Sequence, residues 1–403
     1  MSFSVIVLSN VTMKERDMVS PRTKDNLNQS ASSVLENCII LGMNTTIPWD
    51  NPHNLISLET EQLFDRIKAT VLIPILFLVG FPANCINMAV FFKQGLKERI
   101  NLCLFSLALV DLLTLTLTFV SHVERLYTQF TDEARIGPMY RYMINNNIIG
   151  LYGIVYGPMF LSVIVSIERC TCVLLPLRVQ RCIPTKAIAV IVIVGVSVLL
   201  SARFLVTAMF QATCFYEIRT QRVSWQPYVN DYFFRNRVMI NVLNSVFYGF
   251  ILTVGCPAIV LIATIITSVR LTKIVRWRSQ TSSSLSSKEI GVTKMLIALS
   301  IEFFVLSIPI IVLRIVPVFE PRLSAGGEFA NSFNFLLGFC EFFGNTSSSV
   351  NFFVYFVTGT KYRQTLQGLM RRKVPQTSLN QNYSGSRVTA TSSITSVENL
   401  KLR

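Results

Sequence analysis

Seven apolar runs of membrane length alternate with short polar segments along this chain. They cover roughly 69–92, 100–122, 139–171, 187–209, 237–269, 290–317 and 329–357. An apolar run of about 20 residues crosses the hydrocarbon core as a helix, because only a helix or a closed barrel satisfies its own backbone there. The pattern predicts an all-α membrane protein, a seven-transmembrane helix bundle over 66–360. Segment 1–65 is polar and predicts a loose N-terminal region. After the seventh run, Lys361, Arg363, Arg371, Arg372 and Lys373 alternate with Leu366, Leu369 and Met370. That pattern predicts a short amphipathic helix over 361–373, lying on the membrane surface. Segment 374–403 is Ser/Thr/Asn-rich and predicts a disordered tail.

Charge orients the bundle. The loops after the first, third and fifth runs are basic, with Lys93, Lys97 and Arg99, then Arg178, Arg181 and Lys186, then Arg270, Lys273, Arg276 and Arg278. The alternate loops mix signs. The positive-inside bias therefore predicts an extracellular N-terminus and a cytoplasmic C-terminus in the plasma membrane. Three N-x-S/T sequons, at Asn10, Asn28 and Asn44, fit a glycosylated outer segment. Residues 2–8 are too short for a secretory signal and run straight into Lys14, Glu15, Arg16 and Asp17, so the first span serves as the signal anchor.

Composition removes several function classes. Only 15% of residues are charged and mean hydropathy is +0.50, where a soluble domain carries about 25% charged residues. The net charge of +15 sits in short loops between spans, so it carries topology and not nucleic-acid binding. Nine cysteines form no C-x-x-C pair, and only two histidines occur, His53 and His122. The sequence therefore predicts no enzyme, no metal site and no cofactor. No internal repeat and no filter-like loop is visible, which disfavours a polytopic transporter, the rival from another class, and a channel.

Charge buried in the spans is the candidate chemistry, since an intramembrane charge is costly unless paired or wetted. Glu168 and Arg169 close the third span. Asp111 lies in the middle of the second. Glu302 and Arg314 lie in the sixth, Glu341 in the seventh and Arg203 in the fourth.

Several of these sit in motifs that resemble the class A (rhodopsin-like) G-protein-coupled receptors, over about 65–375. Gly80-Phe81-Pro82-Ala83-Asn84 resembles the first-span asparagine motif. Leu107-Ala108-Leu109-Val110-Asp111 resembles the leucine–alanine–aspartate motif. Glu168-Arg169-Cys170 is followed by Pro176. Pro257 lies in the fifth span, and Phe303 and Pro309 in the sixth. Asn351-Phe352-Phe353-Val354-Tyr355 resembles the seventh-span asparagine–proline–x–x–tyrosine motif, with Phe for Pro. Stretches such as Phe91-Phe92-Lys93-Gln94-Gly95-Leu96 are similar to molluscan chemosensory-type receptors, and Asn345–Tyr355 also to invertebrate neuropeptide receptors.

The resemblance implies a receptor that binds an extracellular small polar ligand or peptide and activates heterotrimeric G proteins, with arrestin as a further partner. It implies a switch made of Glu168, Arg169, Glu289, Asn351 and Tyr355, in which Glu289 of the sixth span holds Arg169 at rest. It implies a polar core of Asn84, Asp111, Ser347 and Ser348, acting either as interhelical hydrogen-bond glue or as a sodium-ion site. Pro158, where the family often supplies a hydroxyl, counts against sodium. It places Leu151, Tyr152, Arg314 and Glu341 at the ligand cavity. Leu151 stands where amine receptors carry an aspartate, which argues against an amine ligand. Arg314 and Glu341 either meet a ligand of mixed charge or pair with each other. The family's third-span disulfide cysteine is replaced by Ile144, and this leaves Cys38 as a possible partner for Cys214. The fourth-span tryptophan is also missing.

Overall fold

The computed structural model describes residues 38–41, 51, 53–128, 137–175, 184–217, 222–281, 287–324 and 327–370. The sequons at Asn10, Asn28 and Asn44 and the tail 374–403 lie outside the described residues. Seven long helices form the bundle: α1 (Leu58–Gln94), α2 (Arg99–Thr128), α3 (Ile148–Leu174), α4 (Thr185–Thr207), α5 (Arg237–Asn241, Val242–Gly255 and Cys256–Thr281 run together), α6 (Ser287–Phe319) and α7 (Ala330–Thr358). A shorter α8 (Thr360–Met370) follows. Among the described residues, α1 to α6 are long and apolar enough to cross a membrane. α7 has 29 residues, about 44 Å of helix, but carries Asn, Ser, Thr and Glu along its length. It packs against α1, α2 and α6, which shield that polar face.

Apolar side chains such as Leu78, Ile193, Ile262 and Val312 point outward and are exposed. In a bilayer, acyl chains cover them. Two apolar clusters fill the interior. One holds Phe91, Leu104, Leu299, Tyr355 and Tyr362 near α8. The other holds Tyr152, Met209, Phe210 and Tyr248 at the opposite end.

Three departures from the sequence expectation have physical causes. First, α1 begins at Leu58, before the apolar run. Ser57 caps it, its hydroxyl accepting from the Thr60 N–H at 3.2 Å, and Glu59 and Glu61 sit in its first turn. Both features favour a helix start whatever the hydropathy.

Second, the third span is not one helix. A short helix, Pro138–Asn145, ends before Asn147, whose φ of 54° is left-handed. Asparagine tolerates that conformation better than most residues. Residues Ile148–Tyr156 then run as a 3-10 helix before Gly157–Leu174 resumes the α form. In a 3-10 turn residues i and i+3 eclipse, which puts Gly150 and Gly153 on one edge. That edge lies against α4, where a Cβ on Gly153 would meet the Leu199 carbonyl oxygen at 2.6 Å.

Third, the loop expected between the fourth and fifth spans is a hairpin. β2 (Phe210–Glu217) pairs antiparallel with β3 (Arg222–Val229), in a register that sets Cys214 opposite Trp225. β1 (Ile39–Leu41) lies parallel to β2, with Ile39 opposite Phe215. Cys38 and Cys214 form a disulfide with their Cα atoms 4.6 Å apart. The sheet is fastened to the short helix before α3. The Ala212 N–H donates to Asn145 Oδ1 at 2.9 Å, and Arg141 stacks over Trp225 at 4.4 Å.

Gly153→Ala is expected to cost about 1–3 kcal/mol through forced separation of α3 and α4. This would appear as a lowered thermal midpoint of the purified protein in detergent. Gly344 has open space at its Cβ position, so Gly344→Ala in the same assay is expected to show no loss.

Candidate functional site

At the α8 end of the bundle, the α-helical part of α3 carries Glu168 and Arg169 into a partly closed setting. Arg169 Nε lies 2.8 Å from Glu168 Oε2, and Arg99 Nε of α2 lies 3.8 Å from Glu168 Oε1. The Cys172 thiol donates to Glu168 Oε1 at 3.2 Å, and Arg99 Nη2 reaches the Cys172 sulfur at 3.6 Å. One acid, 6% exposed, therefore stands between two guanidinium groups. A short step deeper, the Ser166 and Ser300 hydroxyls join α3 to α6 at 3.3 Å. Glu289 lies in the first turn of α6, and its side chain is outside the described residues. The sequence reading missed Arg99, which the positive-inside pattern had assigned to topology, and Ser300, which nothing in the sequence distinguishes.

Midway along the bundle a hydrogen-bonded path runs from α2 to α8. Asp111 Oδ1 accepts from the Ser348 hydroxyl at 2.7 Å, and Oδ2 from Asn351 Nδ2 at 2.8 Å. Asn84 Nδ2 donates to the carbonyl oxygens of Gly80 and Ser348 at 3.0 and 2.8 Å. Asn87 Nδ2 donates to Asn84 Oδ1 at 3.3 Å, and the Tyr362 hydroxyl donates to Asn87 Oδ1 at 2.6 Å. Four helices thus share one buried chain of polar groups. Tyr355 is buried beside it, edge-on to Phe91 at 5.2 Å. Ser347 is not one of the two side chains bonded to Asp111 and lies near Glu302 of α6. Ser349, which the sequence did not single out, faces α1 and donates to the Leu76 carbonyl at 3.2 Å.

The disulfide end holds a second buried ionic group. Lys68, at the π-helical turn of α1, is 1% exposed and lies 2.8 Å from Glu341 Oε2 of α7 and 3.1 Å from Asp65 Oδ1. His122 Nε2 of α2 is 3.8 Å from Glu341 Oε1, while its Nδ1 sits 2.9 Å from the Thr118 carbonyl. Glu341 is therefore paired with Lys68, not with Arg314. Lys68 fell just outside the apolar run, and a lone histidine carries little signal, so the sequence hid both partners.

Arg314 lies in α6, five residues before Phe319. Its Nε is buried with no hydrogen-bond partner among the described residues, and Cys340 of α7 lies within its electrostatic reach. Tyr152 is buried and donates to the Leu117 carbonyl at 3.2 Å. Leu151 is 41% exposed. Counting residues back from Arg169 assumed an unbroken α-helix, but each 3-10 residue adds about 20° of turn and re-phases the face. Arg203 is buried, with Nη1 donating to Asn244 Oδ1 at 3.2 Å and its guanidinium 5.5 Å from the Tyr248 ring.

Removing one partner of a buried ion pair leaves an uncompensated charge, which costs about 3–5 kcal/mol. Lys68→Met alone is expected to lose stability of that size and so to lower the thermal midpoint. Lys68→Met combined with Glu341→Gln is expected to regain most of it. A double variant no better than the single one contradicts the pairing.

The family comparison adds an independent line. A model of the family "Serpentine type 7TM GPCR chemoreceptor Srw" matches residues 71–373, from early in α1 to just past α8. No curated protein matches the sequence. Members of this family are membrane receptors and not enzymes. With most of its length matched, and α2 to α7 and the larger part of α1 inside the match, the chain belongs to the serpentine 7TM GPCR chemoreceptor family Srw.

Proposed function

We propose that this chain is a rhodopsin-like chemosensory receptor of the plasma membrane. It binds a small polar ligand or peptide at the disulfide end and activates a heterotrimeric G protein at the Arg169 end. The observation that carries the reading is the tether on Arg169, whose guanidinium is held by Glu168 beside a Ser166–Ser300 contact between α3 and α6. A fixed charge with five donors, held by one adjacent acid, can exchange that acid for a partner. Parting α3 from α6 breaks the serine contact and opens a groove between them. The tether biases a two-state element, so its strength sets basal activity. Glu289 adds to the resting hold in this reading, and Asn351 and Tyr355 link α7 to the same end.

Orientation rests on two features. The described basic loop residues, among them Lys93, Arg99, Lys186 and Arg270, lie at the Arg169 end, which the positive-inside bias assigns to the cytoplasm. The disulfide lies at the other end, and disulfides persist in oxidising compartments. The sequons at Asn10, Asn28 and Asn44 then face outward and carry glycans. Ser and Thr residues of 376–396 become cytoplasmic phosphorylation sites for arrestin.

Asp111 acts as hydrogen-bond glue between α2 and α7, since both of its oxygens already have a donor. A sodium ion is the second reading, favoured by Asn345 Oδ1, a buried oxygen with no partner among the described residues. Such a hard cation would take oxygens from Asp111, Ser348 and Asn345.

Membranes bearing the receptor are expected to show nucleotide-sensitive G-protein binding and basal nucleotide exchange. Glu168→Gln is expected to raise basal exchange about 5-fold or more at matched surface expression, and Arg169→Ala to abolish it. Solute flux without any exchange activity would favour a transporter instead. Response only to amidated peptides would favour a neuropeptide receptor of the same class. If sodium occupies the Asp111 site, sodium salts will depress basal exchange more than potassium salts, and Asp111→Asn will erase the difference.

A further inference from the structure

We infer that the ligand presents an oxyanion, such as a carboxylate, and that Arg314 is its anchor. This rests on the reading of the disulfide end as the ligand site. Arginine stays charged at any accessible pH, and a guanidinium inside a span needs a counter-charge or water. Among the described residues Arg314 has neither an ion pair nor a hydrogen bond, and its Nε is enclosed. A merely snorkelling arginine would hold its whole head at the water interface. Here Nε is enclosed and the residue only half-buried, with Cys340 of α7 within its electrostatic reach.

Among the described residues, the buried or ion-paired acids at this end are committed elsewhere, while Glu59 and Asp231 are exposed. Glu341 and Asp65 meet Lys68 at 2.8 and 3.1 Å. Glu124 accepts from the Met139 and Tyr140 N–H groups at 2.8 and 2.9 Å. Glu320 bonds Arg322 at 2.6 Å, and Glu328 lies 3.8 Å from the same arginine. Arg322 also holds the exposed Glu320 carboxyl below its ordinary value through that hydrogen bond.

This arrangement separates the two halves of a mixed-charge site. The carboxylate of Glu341, which would receive an ammonium, is neutralised inside the protein. The guanidinium of Arg314 is not. Two more polar groups without partners among the described residues, Ser332 Oγ and Asn334 Oδ1, lie in the first turns of α7 at the same end. A planar oxyanion meets a guanidinium by two parallel hydrogen bonds, the strongest form of this contact. The ligand class is thus anionic, since among the described residues no enclosed acid at this end is left over for an ammonium.

The test uses full-length receptor in nanodiscs and reads the thermal midpoint against ligand concentration. The probes are butyrate, benzoate and N-acetyl-phenylalanine, each beside its neutral amide, with butylamine and benzylamine as cationic counterparts. N-acetyl-phenylalanine acting where butyrate and benzoate do not would identify the anion as a peptide C-terminus; the reverse would identify a small acid. In either case a carboxylate is expected to raise the midpoint while its amide does not. Arg314→Gln is expected to weaken the response at least about 30-fold, and Arg314→Lys to retain part of it. The inference is overturned if amines act and carboxylates do not, if no carboxylate acts, or if Arg314→Gln responds like the parent. Should Arg314→Gln fail to fold, the carboxylate-against-amide comparison and Arg314→Lys decide the matter. The readout needs no G protein. Loss of nucleotide exchange with carboxylate binding intact therefore counts against the coupling reading alone.

Discussion

Everything in this bundle depends on one constraint: polar groups buried in a bilayer must find partners inside the protein. α7 is where that constraint is sharpest. Its Glu341, Ser348, Ser349 and Asn351 would make a poor span alone. Each is met by a group from another helix: Lys68 from α1, Asp111 from α2, and the Leu76 carbonyl of α1. The same bonds that make α7 tolerable in the membrane fix its rotation against α1 and α2. A polar helix therefore specifies the packing more tightly than an apolar one could, because apolar faces slide against lipid-like neighbours at little cost.

The two ends of the molecule use charge in different ways. At the Arg169 end one acid is shared between two arginines, an arrangement with surplus positive charge and a replaceable partner. At the disulfide end Lys68 and Glu341 close on each other, with His122 near, and Arg314 stands apart. Between them the chain from Asp111 through Ser348, Asn84 and Asn87 to Tyr362 is continuous. A rotation of α7 therefore disturbs both the carboxylate in the middle and the seat of α8.

Much of the fold was legible because hydropathy in a membrane is nearly binary. Asp111, Asn84, Ser348 and Asn351 were legible because polar residues in apolar runs stand out. What was illegible followed from the same reliance on hydropathy. Lys68 lay at the edge of a run and so read as a flank, although the Ser57 cap carries α1 well past it. Arg99 read as a loop charge. The pairing of Glu341 was undecidable, since sequence places charges on helices but not across them. The hairpin at Phe210–Val229 was hidden because its strands follow an apolar helix directly. The 3-10 stretch of α3 was hidden because its composition, rich in Ile and Gly, serves either helix type.

That 3-10 stretch acts as a spacer. Nine residues at about 2.0 Å rise, where an α-helix gives about 1.5 Å, lengthen α3 by roughly 4.5 Å. The short helix Pro138–Asn145 rides on that extension, and the hairpin hangs from Asn145 through Ala212. The height of the disulfide-linked sheet above the membrane is thus counted out in residues between Asn147 and Gly157. Losing one would drop the sheet by about 2 Å and swing it by about 120°. Length, more than any side chain in that stretch, is what the stretch contributes.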